Sequence, residues 1–243
     1  MRKSLFLIAG LGLCLIGPAL ADDFFEGRTP AVKTADLVEW AWDGGDKAEI
    51  AVPSIVHYQA GGTPRVVVRG PADLIDRVRF QDGELKMQYR LFGDNNYNNK
   101  SERLDITITG VKLRNVGLAG KVDMDMGEIH QDALRLSIAG SGSFNASGSA
   151  DDLDLHVAGS GDYHLGKLAA HSMRVDIAGS GHVDAASPSS ARINIVGSGQ
   201  VSFVAMPKDI STNIIGSGRI SDANGHVIDR HFGSRDDRHR ERG

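Results

Sequence analysis

Apolar and polar residues alternate along much of the chain, and this pattern predicts β-strands. A period of two places successive side chains on opposite faces of a strand, so one face of each run is expected to be buried. Helical periodicity is nearly absent, which favours an all-β fold. The five most regular runs carry their inward residues at Leu134, Leu136 and Ile138; Leu153, Leu155 and Val157; Met173, Val175 and Ile177; Ala191, Ile193 and Ile195; and Ile210, Thr212 and Ile214.

The tripeptide Gly-Ser-Gly follows each of these five runs. The first glycines of successive tripeptides are 19, 20, 18 and 19 residues apart. A fixed period of this size is the signature of a solenoid. A second short strand is expected after each tripeptide. The glycines predicted to form structural corners are Gly140 and Gly142, Gly159 and Gly161, Gly179 and Gly181, Gly197 and Gly199, and Gly216 and Gly218.

One repeat is too short to bury an apolar face alone. Coils stacked about 4.8 Å apart would pair as parallel strands and place like residues above like residues. The apolar columns would then form one continuous core, with glycine allowing the chain to turn at each corner. A phosphate-binding loop would need a following helix, and a flexible linker would not lie between alternating strands. The sequence therefore predicts a parallel β-solenoid.

The region before the repeat is predicted to form an irregular β cap. One hairpin would join the strand of Trp40 and Trp42 to the next strand through residues 43–46. A second would pair residues 74–80 with residues 85–91. Such a cap would cover an open parallel edge that could otherwise recruit other chains. We expect the tryptophan pair in the core of this cap rather than on a sugar-stacking surface.

The start of the chain has the features of a secretory signal peptide. Arg2 and Lys3 precede an apolar run that is short for a membrane span, and Ala19-Leu20-Ala21 fits a cleavage site. An uncleaved membrane anchor is the alternative, and no other segment approaches transmembrane length. Cys14 is the single cysteine, so the cleaved chain would have no thiol to mispair in an oxidising compartment.

Composition and charge complete the predicted division of the chain. The 30 glycines and the aromatic content of 6% suit a narrow bore filled by aliphatic residues. A net charge of −4 argues against a nucleic-acid partner. The C-terminal segment carries five arginines and three acids; it could contact anionic surfaces, or form a disordered, solvated end. The predicted parts are a signal peptide (1–21), a linker (22–36), a β-solenoid (37–229, with capping coils over 37–110 and regular coils over 111–225) and a disordered charged tail (230–243).

Several stretches resemble one bacterial protein family. They begin at Glu39-Trp40 and include VVRGPADL at 67–74 and DGEL at 82–85, and the repeated Gly-Ser-Gly is the most specific feature. Over residues 38–223 the sequence is similar to the putative auto-transporter adhesin, head GIN domain family. This resemblance implies an exported, right-handed parallel β-helix similar in shape to pectate-lyase-like proteins, with a role in adhesion. It brings no established catalytic set, so no site residue is transferred from it.

Two neighbouring coils carry one candidate metal site. Asp162 and His164 are expected to point outward, and His182 and Asp184 follow 20 residues later in the same two columns. The four side chains would then stand in a rectangle of about 5 by 7 Å. Two imidazoles and two carboxylates of that spacing could hold a divalent metal ion. The alternative is a set of salt bridges across a wet surface, which would contribute little to stability.

No motif for catalysis or cofactor binding occurs in the sequence, so we predict no catalytic residue and no cofactor. The leading interpretation is a non-catalytic exported β-solenoid, periplasmic or at the cell surface, that binds a glycan or an envelope protein. A polysaccharide lyase or hydrolase on the same fold is the alternative, and it would need clustered carboxylates, or a carboxylate with Arg or Lys, in a groove. Self-association through the terminal coils is a third interpretation. The outward acids are Asp123, Asp125, Asp154, Asp162, Asp176 and Asp184.

Overall fold

Strands make up nearly all of the structure, a computed structural model that describes residues 27–88 and 102–229. The N-terminal elements are β1 (Val32–Lys33), β2 (Leu37–Ala41), β3 (Lys47–Ala51), β4 (Ser54–Gln59), β5 (Arg65–Arg69), α1 (Ala72–Ile75), β6 (Val78–Gln81), β7 (Glu84–Met87), β8 (Leu104–Thr109) and β9 (Asn115–Gly120). The following strands are β10 (Val122–Gly140), β11 (Ser143–Gly159), β12 (Asp162–Gly179), β13 (His182–Ala185), β14 (Ser190–Gly197), β15 (Gln200–Phe203), β16 (Asp209–Gly216), β17 (Arg219–Asp222) and β18 (Val227–Asp229).

These strands wind into stacked coils, which confirms the predicted β-solenoid. We call the sheet that precedes the Gly-Ser-Gly corners sheet A and the sheet that follows them sheet B. β10, β11 and β12 bend around the coil and contribute to both sheets, with parallel partners 18 to 20 residues away. The inward column of sheet B shows like above like, and it contains Met124, Phe144, Tyr163, Val183, Val201 and Ile220.

The two glycines of each corner are needed for different reasons. The first has a φ between 121° and 135°, which side chains rarely adopt, and a Cβ there would lie 2.2–2.5 Å from the carbonyl oxygen of the glycine one coil before. The second has an ordinary φ, but a Cβ at Gly161 would lie 2.5 Å from Cγ2 of Ile138. The serine N–H between them donates to a glycine carbonyl of the preceding coil, as Ser160 does to Gly140 at 2.9 Å. Each corner therefore continues the hydrogen-bond ladder between sheets A and B.

The N-terminal coils are stacked in an order that differs from their order in the chain. β3 pairs in parallel with both β7 and β9, and β4 pairs in parallel with both β8 and β10. The coil of residues 47–59 therefore lies between two coils that come later in the sequence. The region is thus more regular than the irregular capping coils and hairpins predicted for it.

One of the two predicted hairpins is wrong and the other is present in shortened form. β2 pairs antiparallel with β5 rather than with β3, because both edges of β3 are occupied by parallel partners and alternation alone does not specify a partner. β6 and β7 form the second hairpin around Asp82 and Gly83, which have φ values of 50° and 84°. Leu74 lies in the short helix α1 after Pro71 rather than in a strand.

Part of the predicted linker belongs to the folded cap. β1 pairs antiparallel with β2, the N–H of Arg28 donates to Phe80 O at 2.7 Å, and Trp40 Nε1 donates to Arg28 O at 2.9 Å. These bonds hold residues 27–36 on the cap, so they do not form a free linker. The predicted signal peptide, Cys14, residues 22–26 and the C-terminal tail lie outside the described residues.

Aromatic residues fill the core of the N-terminal cap, as expected for the tryptophan pair. Trp40 and Trp42 are buried, with 2% and 3% of their surface exposed. Their ring centroids lie 5.8 and 5.4 Å from that of Phe80, distances typical of favourable aromatic pairs. Among the described residues, the one short helix does not reach the length or the apolar character that crossing a membrane would require.

An antiparallel strand ends sheet B at the C-terminal coil. β18 pairs antiparallel with β17 and ends sheet B. β16 is the last strand of sheet A within the described residues, and its inward Thr212 is exposed. The loop between β17 and β18 is tied together by Asp222, whose side chain is 1% exposed and accepts hydrogen bonds from the backbone N–H groups of Met206, Asn224 and His226.

Candidate functional site

The outward side chains of sheet A form two polar columns, which result from a period of two within each strand and a constant offset between coils. Each member of a column lies directly above or below the next. The first column contains Arg135, Asp154, Arg174, Arg192 and Ser211, and the second contains Ser137, His156, Asp176, Asn194 and Asn213.

Ion pairs and hydrogen bonds connect the two columns around His156. Its Nε2 lies 3.0 Å from Asp154 Oδ1, and its Nδ1 lies 3.5 Å from Asp176 Oδ2. Arg135 pairs with Asp154 at 2.9 Å, and Arg174 pairs with Asp176 at 2.8 Å. Each carboxylate therefore already has an arginine partner.

Burial and two hydrogen-bond donors act on the pKa of Asp176 in opposite directions. Partial burial raises the pKa of the Asp176 carboxyl, but hydrogen bonds from Arg174 and from Asn194 Nδ2, the latter 2.6 Å long, outweigh burial and lower it. The carboxylate is consequently held in its ionised form. Arg174 and Asn194 together fix the orientation of the Asp176 carboxylate.

Asp154, His156 and Asp176 also form the one group of three potential ligands, within residues 27–88 and 102–229, whose ligand atoms lie within 4.8 Å of one another. Both acids are predicted from the sequence to be outward, whereas His156 is not among the predicted site residues. The available signal was the 20-residue offset between His156 and Asp176, the same offset used to predict the patch after the corner. Two Asp and one His could ligate a divalent metal, although arginines compete for both carboxylates.

A shallow groove of about 600 Å³ runs beside the first column and crosses four coils. Its border is a third column of Asp152, Ser172, Ser190 and Asp209. Ser172 Oγ donates to Asp152 Oδ1 at 2.5 Å. The opposite side of the groove includes Arg174 and Arg192, so the groove presents hydroxyls, carboxylates and guanidinium groups to one ligand.

The predicted metal patch lies on sheet B, and the structure brings three of its four residues together. Asp162 is directly opposite His182, and His164 is directly opposite Asp184. His182 Nε2 lies 2.8 Å from Asp184 Oδ1, and His164 Nδ1 lies 3.4 Å from Asp184 Oδ2. The Asp162 carboxylate makes no hydrogen bond or ion pair with the part of the chain that is described. A metal at this patch stays a prediction.

His164 and Asp184 also line a second groove, of about 440 Å³, together with Asp125 and Asn145. Nearby, Asp123 pairs with Arg103 at 2.7 Å and accepts a hydrogen bond from Ser143. Burial raises the pKa of Asp123, but these two partners outweigh burial and lower it. The outward acids are thus distributed over two sheets, and Asp123, Asp154 and Asp176 each have an arginine partner.

Comparison with known proteins gives one family and several similar folds. The sequence profile of the family described as "Putative auto-transporter adhesin, head GIN domain" matches residues 49–221. A putative adhesin from Bacteroides fragilis is 19% identical, with a TM-score of 0.59 over 76% of this chain and 95% of that one. No protein of curated function matches the sequence significantly.

Two further solved structures are similar over comparable lengths. A putative lipid binding protein from Parabacteroides distasonis is 18% identical, with a TM-score of 0.47 over 77% of this chain and 96% of that one. A putative adhesin from Parabacteroides merdae is 16% identical, with a TM-score of 0.41 over 76% of this chain and 95% of that one. At these identities the likeness concerns the fold alone.

Proposed function

Because the chain belongs to the putative auto-transporter adhesin, head GIN domain family, we propose that it is a non-catalytic, exported β-solenoid that adheres to a glycan or an envelope protein. The observation that carries this proposal is the polar surface of sheet A, where two columns and a bordering groove repeat across four coils. Side chains on stacked strands are held by the backbone ladder, so this surface is preorganised for binding.

The pairing of charges supports binding rather than hydrolysis. A glycoside hydrolase needs a carboxylic acid whose protonation changes during the reaction. Asp154 and Asp176 instead pair with Arg135 and Arg174, and the pKa of Asp176 is lowered by its partners. Lowered carboxyl pKa values favour permanent charges, which suit recognition of a polar ligand.

A glycan array combined with a reducing-end assay tests the proposal. Binding of the purified full chain to glycans or envelope proteins, without new reducing ends or unsaturated products, is the expected result. New chain ends would contradict it and support the alternative, a polysaccharide lyase or hydrolase. Failure to bind any glycan or envelope extract would also contradict it.

Export forms a separate part of the proposal and rests on residues 1–21. Intact-mass measurement of the protein recovered from bacterial culture should give a chain that begins at Asp22. Cell fractionation then distinguishes the periplasm from the cell surface. A chain that retains residues 1–21 and stays in the cytoplasm would contradict export.

A further inference from the structure

We propose that the groove on sheet A binds the carboxylate groups of an acidic oligosaccharide, with Arg192 as the principal contact. This inference deepens the proposed function, since it assigns a chemical class to the glycan and a residue to its recognition.

The first observation is a pair of like charges in direct register. Arg174 of β12 lies opposite Arg192 of β14, and neighbouring strands of a sheet are about 4.8 Å apart. Like charges directly opposite each other destabilise a sheet. Asp176 pairs with Arg174 and leaves the charge of Arg192 uncompensated, so the geometry favours a negatively charged group at Arg192.

The second observation is that the two arginines differ in their partners. Arg174 is held by Asp176 at 2.8 Å. Arg192 is exposed, and its side chain makes no hydrogen bond or ion pair with the residues that the structure describes. Its guanidinium is therefore available to a ligand, and its planar set of donors matches a carboxylate with two parallel hydrogen bonds.

The remaining groups of the groove restrict the kind of anion. Ser190 and Ser211 flank Arg192 along and across the strands, while Asp152, Asp154 and Asp209 line the same groove, Asp154 being paired with Arg135. Carboxylates at the border would repel a densely charged ligand such as a polyphosphate. They would accept hydrogen bonds from hydroxyl groups, so the groove suits a ligand that carries many hydroxyls and widely spaced carboxylates. Uronic acid oligosaccharides have this chemistry.

The dimensions of the groove are consistent with a short oligosaccharide. Its volume of about 600 Å³ lies within the ordinary range of ligand sites, about 300–1,000 Å³. It crosses four coils, so a ligand lying along the solenoid axis would meet the serine and aspartate column over its whole length. The open shape would let a longer polymer extend beyond both ends.

Calorimetry with the purified full chain tests the inference. The probes are oligogalacturonate, its uncharged methyl ester and a neutral gluco-oligosaccharide of equal length. We expect binding of oligogalacturonate but not of the ester, and weaker binding as salt increases. Arg192→Gln should weaken it about tenfold or more, because a hydrogen bond to a charged group is lost.

Arg69→Gln is the matched control, since Arg69 is exposed at the end of β5, which pairs with β2 and β8 and contributes nothing to the groove, and the charge change is the same. Its affinity should equal that of the unmodified chain, and circular dichroism should show that both variants fold. Equal affinity of Arg192→Gln and Arg69→Gln would overturn the inference. So would preferential binding of the ester, or binding to anionic phospholipid vesicles in place of the glycan.

The outcomes separate this inference from the proposed function. Binding of neutral glycans or of an envelope protein, unaffected by Arg192→Gln, would overturn the inference and leave the adhesive role supported. Turnover of oligogalacturonate into new chain ends would overturn the adhesive role, even if Arg192 were required for binding.

Discussion

Replacing the second glycine of a corner should destabilise the solenoid through one identifiable collision. A Cβ at Gly161 would lie 2.5 Å from Cγ2 of Ile138, which is 0.9 Å short of the 3.4 Å at which ordinary contact begins. Since φ at this glycine is ordinary, the cost of Gly161→Ala comes from overpacking alone. Overpacking of a filled core costs about 1–3 kcal/mol, and we expect a loss of unfolding free energy in this range.

A second substitution should relieve this collision. Ile138→Leu removes the branch at Cβ while it conserves side-chain volume, and alone it should cost less than about 1.5 kcal/mol. Combined with Gly161→Ala, it should give a double variant at least about 1 kcal/mol more stable than the sum of the single effects predicts. Rescue should fail for Gly159→Ala, whose Cβ meets the backbone oxygen of Gly140 at 2.5 Å and whose φ is 123°.

Urea unfolding followed by circular dichroism measures these differences as shifts of the midpoint at constant slope. Gly166→Ala is the control, because this glycine lies in β12, shortly after Gly161, and a Cβ there would meet nothing within 4 Å. Its stability should stay within about 1 kcal/mol of the unmodified chain. Equal loss in Gly161→Ala and Gly166→Ala would refute the argument from collision, as would equal rescue of Gly159→Ala by Ile138→Leu.

Three further predictions follow from single contacts. His226 and neighbouring backbone N–H groups hold the pKa of Asp222 well below its ordinary value. The stability that the Asp222 carboxylate provides should therefore be complete above about pH 4, the ordinary pKa of Asp, and should disappear as the pH falls towards its lower pKa in the folded state. Thermal melts should show that Asp222→Asn is less sensitive to acid than the unmodified chain. Unchanged sensitivity would contradict this. Tyr163→Phe removes a buried hydrogen bond of 3.0 Å to His156 O and should cost about 1 kcal/mol in urea unfolding; no loss would show that the hydroxyl is dispensable. Calorimetry with zinc, nickel and calcium tests the predicted metal patch: heat that His182→Ala abolishes supports it, heat that only His156→Ala abolishes moves the site to sheet A, and absence of heat refutes both sites.

The repeat made the regular coils predictable because identical positions recur and must stack. The register that pairs Asp162 with His182 and His164 with Asp184 follows directly from the 20-residue offset. The same offset also relates His156 to Asp176, although His156 is not among the residues predicted to form a site.

The strand partners in the N-terminal region could not be predicted from a repeat. Alternation shows that Ala48 and Ile50 of β3 point inward, but it does not tell which strands lie on either side. No repeated copy fixes the partner, so the antiparallel β2–β3 hairpin looked as plausible as the observed parallel pairing. The sequence places His182 and His164 near Asp184, but it does not determine which carboxylate oxygen each imidazole contacts.

The interleaved order of the N-terminal coils limits where the protein can change length during evolution. Insertion or deletion of one complete repeat between residues 134 and 203 would lengthen or shorten the groove by about 4.8 Å and leave both ends intact. Loss of residues 84–109 would instead leave the coil of residues 47–59 without its outer neighbour. Homologues should therefore vary in the number of Gly-Ser-Gly coils and retain the N-terminal interleaved unit as a whole.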